Sequence, residues 1–193
     1  MKAAKAYQKK KAESGYAGLT WRKEVGGREL APIFSVIFSQ EEQKFQAPTG
    51  PFAIGLGMCI PTVIAFHAPD KIKRYVGPAL KGEEIWCQLF SEPSAGSDVA
   101  GLRTRAEKKG DNWVVNGQKI WTSGAHYSDY GLLIARTDPY IRMLEIMHTV
   151  IKPQPLIPRM RNLTINPEDR DSWKRFILEI ITEYTKAYSL EQR

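Results

Sequence analysis

Apolar residues in the first part of the chain recur at the spacing of helices. Between Ile33 and Phe45 they fall at three- and four-residue steps, which predicts an amphipathic helix. Residues 51–66 are apolar on nearly all sides, which predicts a buried helix whose glycines allow a neighbour to approach closely. A third helix is predicted over residues 69–80, with a proline in its first turn and a glycine after its end. This part of the chain is therefore predicted to be helical.

The pattern changes to that of strands at about residue 85. IWCQLF suits a buried strand, LRTRAEK alternates, and GLLIART adds another β-forming run. Asn116-Gly117 stands between two runs of β-formers, which predicts a hairpin turn at that dipeptide. Short strands joined by tight turns indicate an antiparallel sheet. The predicted class is α+β, with N-terminal helices followed by an antiparallel β-sheet or partial β-barrel.

The last section, after Pro139, is predicted to be a helical C-terminal tail of unclear origin. Residues 140–151 suit a helix or a strand, and the proline-rich stretch after them suits an extended segment. The sequence NPED at residues 166–169 is typical of a helix start. The helix after it carries an apolar stripe from Trp173 to Tyr188, which packs on the same chain or on another chain.

The charge distribution argues against nucleic-acid binding. The net charge is +7, but the first 28 residues hold eight Lys or Arg and two Glu, so the excess belongs to a basic terminal arm. No membrane span or secretory signal is expected, which favours a cytoplasmic location, with the mitochondrial matrix as the alternative. Cys59 and Cys87 stand apart and the three histidines are widely separated, so neither a disulfide nor a metal site is predicted.

The loop SEPSAGSD, after the first predicted strand, suits either a ligand or a plain polar turn. Its hydroxyls, backbone N–H groups and small residues admit a ligand close to the main chain. Its surroundings, WCQLFSEPSAGSDVAGLRTRAEKKGDNWVVNGQKIWTSGAHYSD, resemble the central β-domain of the acyl-CoA dehydrogenases. Upstream, GYAGLTWRKEVGGREL and MCIPTVIAFHAPDKIKRYVGPALKGEEI are similar to that family's glycine-rich turn and helix pair. The resemblance covers about residues 14–138, and Arg22 and Ser94 depart from it.

The resemblance implies an oxidoreductase of lipid metabolism, including fatty acid β-oxidation. Such enzymes are FAD-dependent acyl-CoA dehydrogenases, in which a glutamate removes the α proton of the thioester and the β hydride passes to flavin N5. Ser91 replaces a threonine that binds the flavin, Trp121 corresponds to the tryptophan packed on its ring, and Ser123 to the hydroxyl residue near N5. Ser97 corresponds to the residue that holds the phosphate-bearing end of acyl-CoA. The implied cofactor-binding residues are Gln88, Leu89, Phe90, Ser91, Trp121, Thr122 and Ser123.

The family also implies partners, namely acyl-CoA as substrate, electron-transfer flavoprotein as acceptor and other copies of the chain in a homo-oligomer. Its base lies in a C-terminal bundle that finds no counterpart after residue 138, so the catalytic residue is unassigned. Glu92 and Asp98 resemble an acid–base pair, but the family implies that they shape the loop.

The resemblance divides the chain into three predicted segments. These are a truncated helical domain at residues 1–84, a partial flavin-binding β-domain at residues 85–139 and an unmatched helical tail at residues 140–193. The alternative function is therefore a truncated or fused, non-catalytic fragment that acts as a flavin-binding, acyl-CoA-binding or self-association module.

Overall fold

The computed structural model of the chain describes residues 1–137 and the backbone of residues 160–165. Two compact units form, Met1–Trp86 and Cys87–Arg193. The helices are α1 (Lys2–Glu13), α2 (Pro32–Gln43), α3 (Gly50–Ile54), α4 (Ile60–Phe66) and α5 (Pro69–Leu80). The strands are β1 (Trp86–Leu89), β2 (Arg105–Lys109), β3 (Asn112–Gly117), β4 (Tyr130–Leu133) and β5 (Met160–Ile165). Helices followed by small, mainly antiparallel sheets confirm the α+β class.

The basic N-terminus forms a packed helix, α1, so its description as a terminal arm was wrong. Gln8 is buried, and its Nε2 donates a hydrogen bond to the Leu80 carbonyl at 2.7 Å. Tyr7 and Lys11 both donate to the Glu42 carboxylate, at 2.6 and 2.7 Å, which ties α1 to α2. Burial, followed by the hydrogen bond and negative charge of Glu42, raises the pKa of Tyr7 to about 12. Polar contacts therefore hold this helix, and apolar periodicity does not reveal them.

Helix α2 confirms the helix predicted between Ile33 and Phe45, with Pro32 in its first turn. Its apolar face is nevertheless exposed: the side chains of Ile33, Phe34, Val36 and Ile37 are 48–56% accessible. Phe38 does find partners, because its ring stacks on Tyr16 at 5.0 Å and lies under the Lys11 ammonium at 4.8 Å. An exposed apolar face of this size is typical of an interaction surface.

The sequence predicts one helix over residues 51–66. The structure is helical there, but it is not one continuous α-helix. A single π-helical turn, Gly55–Cys59, separates α3 from α4. Pro61 explains the change, because it has no N–H to donate and its ring crowds the carbonyl four residues earlier. The Thr62 hydroxyl donates to the Met58 carbonyl at 2.9 Å, which gives that carbonyl a partner. The predicted close approach is found at Gly55, where an added Cβ would lie 3.1 Å from the Trp86 Cβ.

Helix α5 agrees with the prediction over residues 69–80. Its buried face carries Tyr75, Val76, Ala79 and Leu80, and the Tyr75 ring meets the Trp86 ring edge-on at 5.4 Å. Gly82 follows the helix with φ of +71°, a left-handed conformation that favours glycine. A Cβ at this position would also lie 2.8 Å from Gln8. The sequence signal for the end of α5 therefore had a real steric cause.

The described strands form two small sheets and not a closed barrel. One sheet pairs β1 with β4, and the other has the order β2-β3-β5. β2 and β3 are antiparallel, with Arg105 opposite Asn116 and Lys109 opposite Asn112. β3 and β5 are also antiparallel, with an irregularity between Val115 and Gly117. An isolated parallel bridge joins Arg105 to Arg136.

The hairpin predicted at Asn116-Gly117 was wrong. Both residues lie inside β3, and the turn between β2 and β3 is Gly110-Asp111, where Gly110 has φ of +61°. Gly110 occupies the first central position of a two-residue turn, where a positive φ suits glycine. Gly117 instead allows close packing, because an added Cβ would meet Thr104 side-chain and backbone atoms within 2.7 Å. The residues after it do not continue as a strand.

One described segment falls in the predicted helical tail, and it is a strand. β5 occupies residues 160–165, so it begins within the stretch KPQPLIPRMRN that was predicted as extended, and it belongs to the sheet of β2 and β3. The helix-or-strand segment at 140–151, the helix start at 166–169 and the stripe from Trp173 to Tyr188 lie outside the described residues.

Candidate functional site

The structure brings Ser91 next to the turn that contains Trp121. Ser91 lies two residues after the end of β1, and its carbonyl accepts a hydrogen bond from the Ile120 N–H at 2.8 Å. Trp121 is the next residue, and the Ser123 N–H donates back to the Trp121 carbonyl at 3.0 Å. Ser91, Trp121 and Ser123 therefore lie on two adjoining pieces of backbone.

Trp121 has an unusual conformation for a large side chain. Its φ is +57°, a left-handed backbone angle that disfavours residues with a Cβ. Its side chain is 81% exposed, although a buried indole would contribute hydrophobic stabilisation. Strained residues of this kind persist where the surrounding structure imposes them, and they cluster at ligand sites. The turn therefore presents an aromatic face outward at a cost to stability.

Hydrogen bonds and a glycine fix the turn after Trp121. Gly124 has φ of +76°, and a Cβ added there would lie 2.7 Å from the Tyr127 hydroxyl. The Ala125 N–H donates to the Thr122 carbonyl at 3.0 Å, and the Ser128 hydroxyl donates to the Gly124 carbonyl at 2.9 Å. The turn at residues 121–128 is therefore held by hydrogen bonds within itself and not by pairing with a strand.

A buried ion pair lies directly behind this turn. Lys119 is 1% exposed, and its Nζ donates to Glu92 Oε1 at 2.8 Å and to the Phe90 carbonyl at 2.9 Å. The Glu92 carboxylate also accepts the backbone N–H groups of Arg103, at 2.6 Å, and Thr104, at 2.9 Å. Its two oxygens are thus engaged by three donors. Because these donors occupy both oxygens of Glu92, neither oxygen is available to remove a substrate proton. This agrees with a loop-shaping role.

The pKa values of this pair reflect burial and mutual attraction. For Glu92, burial works to raise the pKa, but the Lys119 ammonium and the N–H donors together outweigh it and hold the pKa below 4.5. For Lys119, burial lowers the pKa below 10.5, although the negative charge of Glu92 works in the opposite direction. The geometry, with short contacts to an ammonium and two amides, is that of a carboxylate–ammonium pair.

The loop between Glu92 and β2 is tied down at further points. Glu92 and Ala95 exchange backbone hydrogen bonds at 2.8 and 3.1 Å. Arg136, which follows β4, donates through its guanidinium to the carbonyls of Leu102, at 2.8 Å, and Ala100. These contacts enclose a short 3₁₀ turn, Val99–Gly101. The loop that contains Ser97 is therefore anchored at its start and at its end.

Some of the predicted site residues lie at the junction of the two segments, and the others lie elsewhere in the same unit. Phe90, Ser91, Trp121, Thr122 and Ser123 lie on the two joined segments, although Thr122 is largely buried. Leu89 is only 2% exposed, and its carbonyl accepts the Ile134 N–H, so its side chain belongs to the core. Gln88 is half-buried within β1, and Ser97 is exposed on the anchored loop. The roles assigned to all of these residues stay predictions.

Lys119 and Arg136 were missed by the sequence reasoning. A strand that continued from β3 would place Val115, Gly117 and Lys119 on one face, and Val115 is fully buried. This alternation of faces could have indicated that Lys119 is buried. A lysine is expected at the surface, however, unless it is paired with an opposite charge. The partner of Lys119 is 27 residues away in the sequence, so its position there could not be inferred.

Neither a metal site nor a membrane span is found in the part of the chain that the structure describes. There, no three His, Cys, Asp or Glu side chains are grouped to hold an ion, and no helix is both long and apolar enough to cross a bilayer. A groove of about 590 Å³ lies in the first unit, between the turn at residues 22–26 and α5. None of the predicted site residues lines it.

Comparisons with known proteins agree with this arrangement. The acyl-CoA dehydrogenase N-terminal domain matches residues 2–83, and the acyl-CoA dehydrogenase middle domain matches residues 87–170. The second match runs past residue 138, where the sequence analysis ended the resemblance, and it includes β5. The match therefore extends to residue 170, into the segment for which the sequence analysis found no counterpart.

Relatives and solved structures cover the chain but are much longer than it. Acyl-CoA dehydrogenase IpdE1 of Mycobacterium tuberculosis (strain ATCC 25618 / H37Rv) is 41% identical over 134 residues, which are 69% of this chain and 35% of that protein. The ChsE4-ChsE5 complex from Mycobacterium tuberculosis matches with a TM-score of 0.66 and 32% identity, over 75% of this chain and 38% of that one. The Tcur3481-Tcur3483 steroid ACAD matches with a TM-score of 0.71 and 26% identity, over 90% of this chain and 50% of that one. The chain spans about a third of the length of such curated relatives.

Proposed function

Since the chain belongs to the acyl-CoA dehydrogenase family, we propose that it binds FAD at Ser91 and the turn Trp121–Ser123. We further propose that the whole protein oxidises an acyl-CoA thioester between its α and β carbons. Family membership establishes an oxidoreductase fold of this kind, whereas the cofactor and the reaction of this chain are proposals to be tested.

The conformation of Trp121 is the observation that carries the proposal. An indole that is 81% exposed, on a backbone with φ of +57°, is unfavourable in the free chain. A planar ligand stacked on that face would remove it from water and recover part of the cost. The neighbouring Ser91 is held beside it by the Ile120 N–H at 2.8 Å.

The polar groups around Trp121 fit the edge of an isoalloxazine ring. The ring of FAD is apolar on its faces and rich in hydrogen-bonding atoms along its pyrimidine edge. Ser91 and Ser123 carry hydroxyl groups on the two segments that the Ile120 N–H bond joins. Donors that are fixed in advance stabilise negative charge on a reduced ring without reorganisation.

When it is bound, FAD supplies the acceptor for the hydride that leaves the β carbon of the thioester. The residues of this chain would bind and orient the ring, and the turn at Trp121 would shield one of its faces from water. Glu92 is engaged with Lys119 and two backbone amides, so it is not proposed as the base. In this account a carboxylate elsewhere in the whole protein removes the α proton.

The substrate proposal rests on Ser97 and on the relatives. The exposed hydroxyl of Ser97, on the anchored loop, is proposed to hold the phosphate-bearing end of acyl-CoA. One well-matched structure is a steroid ACAD, and another relative is the isovaleryl-CoA dehydrogenase of Bos taurus. A test panel should therefore contain a steroid-bearing acyl-CoA, a branched short-chain acyl-CoA and straight-chain thioesters.

The proposed partners are a second copy of the chain and an electron-transfer flavoprotein. The exposed apolar face of α2 supports self-association, because large apolar patches are usually covered in an assembly. An electron-transfer flavoprotein is proposed as the acceptor because the resemblance to the acyl-CoA dehydrogenases implies one. A cytoplasmic location stays a prediction.

The spectrum of the purified chain tests the function. The protein is mixed with FAD, freed of unbound cofactor by gel filtration, and examined for the visible flavin band. Each acyl-CoA is then added without oxygen. We expect this chain to retain the flavin band, and we expect at least one thioester to bleach the band once the part of the protein that carries the base is also present. A protein that elutes colourless under conditions in which it is folded would contradict the FAD proposal.

A second candidate is binding without turnover, which is favoured by Glu92, a carboxylate near the Trp121 turn whose oxygens are already engaged by Lys119 and two backbone amides. A flavin band that survives every thioester, together with a shift of the band on adding acyl-CoA, would support this binding module. Adding the remaining part of a relative as a separate polypeptide would then show whether turnover requires a base or a substrate site from that part.

A further inference from the structure

Lys119 is unusual because it is a charged residue buried at the junction of two segments. Its ammonium contacts two different groups on the other segment, the Phe90 carbonyl at 2.9 Å and Glu92 Oε1 at 2.8 Å. The next residue, Ile120, donates its N–H to the Ser91 carbonyl at 2.8 Å. Residues 90–92 are thus bound to residues 119–120 by the Lys119 side chain and the Ile120 amide.

No regular strand pairing joins residues 90–92 to residues 118–122. β1 ends at Leu89 and β3 ends at Gly117, so residues 90–92 and 118–122 lie beyond both strands. A sheet would hold such segments with a ladder of backbone bonds. Here the bond from the Ile120 N–H is accompanied by the bonds of Lys119. The separation between Ser91 and Trp121 therefore depends on a side chain.

Glu92 is what makes the burial of that side chain tolerable. A buried ammonium is costly to desolvate unless a counter-charge and hydrogen bonds compensate it. Glu92 provides the counter-charge, and it is itself held by the N–H groups of Arg103 and Thr104. The carboxylate is therefore a fixed point of the second unit, and Lys119 transmits its position to the Trp121 turn.

We propose that Lys119 is a positioning residue for the flavin site, which sets Ser91 and Trp121 at the spacing that a single planar ring requires. The inference rests on the proposed function for the identity of the ligand, FAD. The geometric part, that Lys119 holds residues 90–92 against the turn, does not depend on which ligand binds. A purely structural pair would stabilise the fold but would not control this spacing.

A double variant separates the two roles. Lys119→Met alone leaves Glu92 buried without its counter-charge and is expected to destabilise the whole unit. Glu92→Gln with Lys119→Met removes both charges, so much of the global stability should return. The bond from Lys119 to the Phe90 carbonyl is absent in both variants. Lys108→Met is the matched control, since it removes the same charge from an exposed position on β2.

Two readouts are measured on the full chain. The first is the hydrogen-exchange rate of the Ile120 amide without cofactor, relative to the amides inside β3. The second is the dissociation constant for FAD. In the double variant we expect Ile120 to exchange at least about tenfold faster while the β3 amides keep their protection. We expect the dissociation constant to rise by about tenfold, and both quantities to be unchanged in Lys108→Met.

The outcomes are distinguishable from failure of the function itself. If the double variant shows wild-type exchange at Ile120, the positioning role is overturned whether or not FAD binds. If Ile120 exchange accelerates and FAD affinity is unchanged, the assignment to the flavin site is overturned. If the wild-type chain binds no FAD, accelerated exchange still supports the geometric role, and the proposed function fails on its own.

Discussion

Lys119 and Trp121 are two residues apart, and each has the exposure that is expected of the other: the charged residue is buried and the aromatic residue is exposed. The lysine is 1% exposed and the tryptophan is 81% exposed. Core residues are normally apolar, and a buried lysine or an isolated exposed indole on a left-handed backbone each costs stability. The lysine donates hydrogen bonds to Glu92 and the Phe90 carbonyl, whereas the indole is exposed.

The contrast separates Lys119, whose charge is compensated within the fold, from Trp121, which the proposed function assigns to a ligand. The buried region is satisfied by its own contacts, so changes there should weaken folding. The exposed indole of Trp121 lies on a strained backbone, so removing it should alter binding with little loss of stability, or even a gain. The two regions therefore predict effects of different size and sign.

The largest effect is expected from Lys119→Met. Removing one member of a buried ion pair leaves an uncompensated charge, which should lower the free energy of unfolding by about 3–5 kcal/mol. Urea denaturation followed by tryptophan fluorescence measures the change. The double variant with Glu92→Gln should recover most of the loss. Equal stabilities for wild type and Lys119→Met would show that the pair contributes nothing and would remove the contrast.

Gly124→Ala should have the next largest effect. The position has φ of +76°, and the new Cβ would lie 2.7 Å from the Tyr127 hydroxyl. The backbone strain should lower the free energy of unfolding by about 1–2 kcal/mol, with a further loss if Tyr127 has to move. Gly96→Ala is the control, because a Cβ there would meet nothing within 4 Å. Matching losses in both variants would mean that the turn is not fixed as described.

Trp121→Gly should act in the opposite direction. Glycine adopts the left-handed backbone without the steric penalty, and an 81% exposed indole contributes little burial. The free energy of unfolding should rise by about 1 kcal/mol. Thermal and urea unfolding of the chain without cofactor measure this change. A clear loss of stability would show that the indole packs on the protein itself.

The smallest expected effect is a difference in acid sensitivity. The pKa of Glu92 is held below its ordinary 4.5 in the folded chain, so its contribution is complete above pH 4.5 and is lost as the pH falls through the folded value. The stability of wild type should therefore decrease more steeply below pH 4.5 than that of Glu92→Gln/Lys119→Met. Unfolding curves at a series of acidic pH values provide the comparison. Parallel pH profiles would contradict a lowered pKa of Glu92 in the folded chain.

The sequence revealed most of the helical part because its signals are local. The bounds of α2 and α5 follow from apolar periodicity, first-turn prolines and the glycine at residue 82. Helix α1 was not recognised, since Gln8 and Tyr7 bind groups far along the chain. Local patterns contain no information on such partners.

In the β-region, local turn chemistry gave the wrong position for the hairpin. Gly110-Asp111 and Asn116-Gly117 are both plausible turns, and the choice between them depends on the pairing of β3 with two neighbours. The proximity of Ser91 to Trp121 was implied only by family resemblance. The ion pair that supports it joins residues 92 and 119, which no short-range pattern connects.

The affinity of Trp121→Ala for FAD, relative to wild type, tests the central claim that the exposed indole is held for a planar cofactor. Isothermal titration of the folded chains measures both constants, with Trp121→Phe as a variant that retains an aromatic face. The account predicts that the alanine variant binds at least about tenfold more weakly and that the phenylalanine variant stays within a few-fold of wild type. Equal affinity of wild type and Trp121→Ala would contradict it.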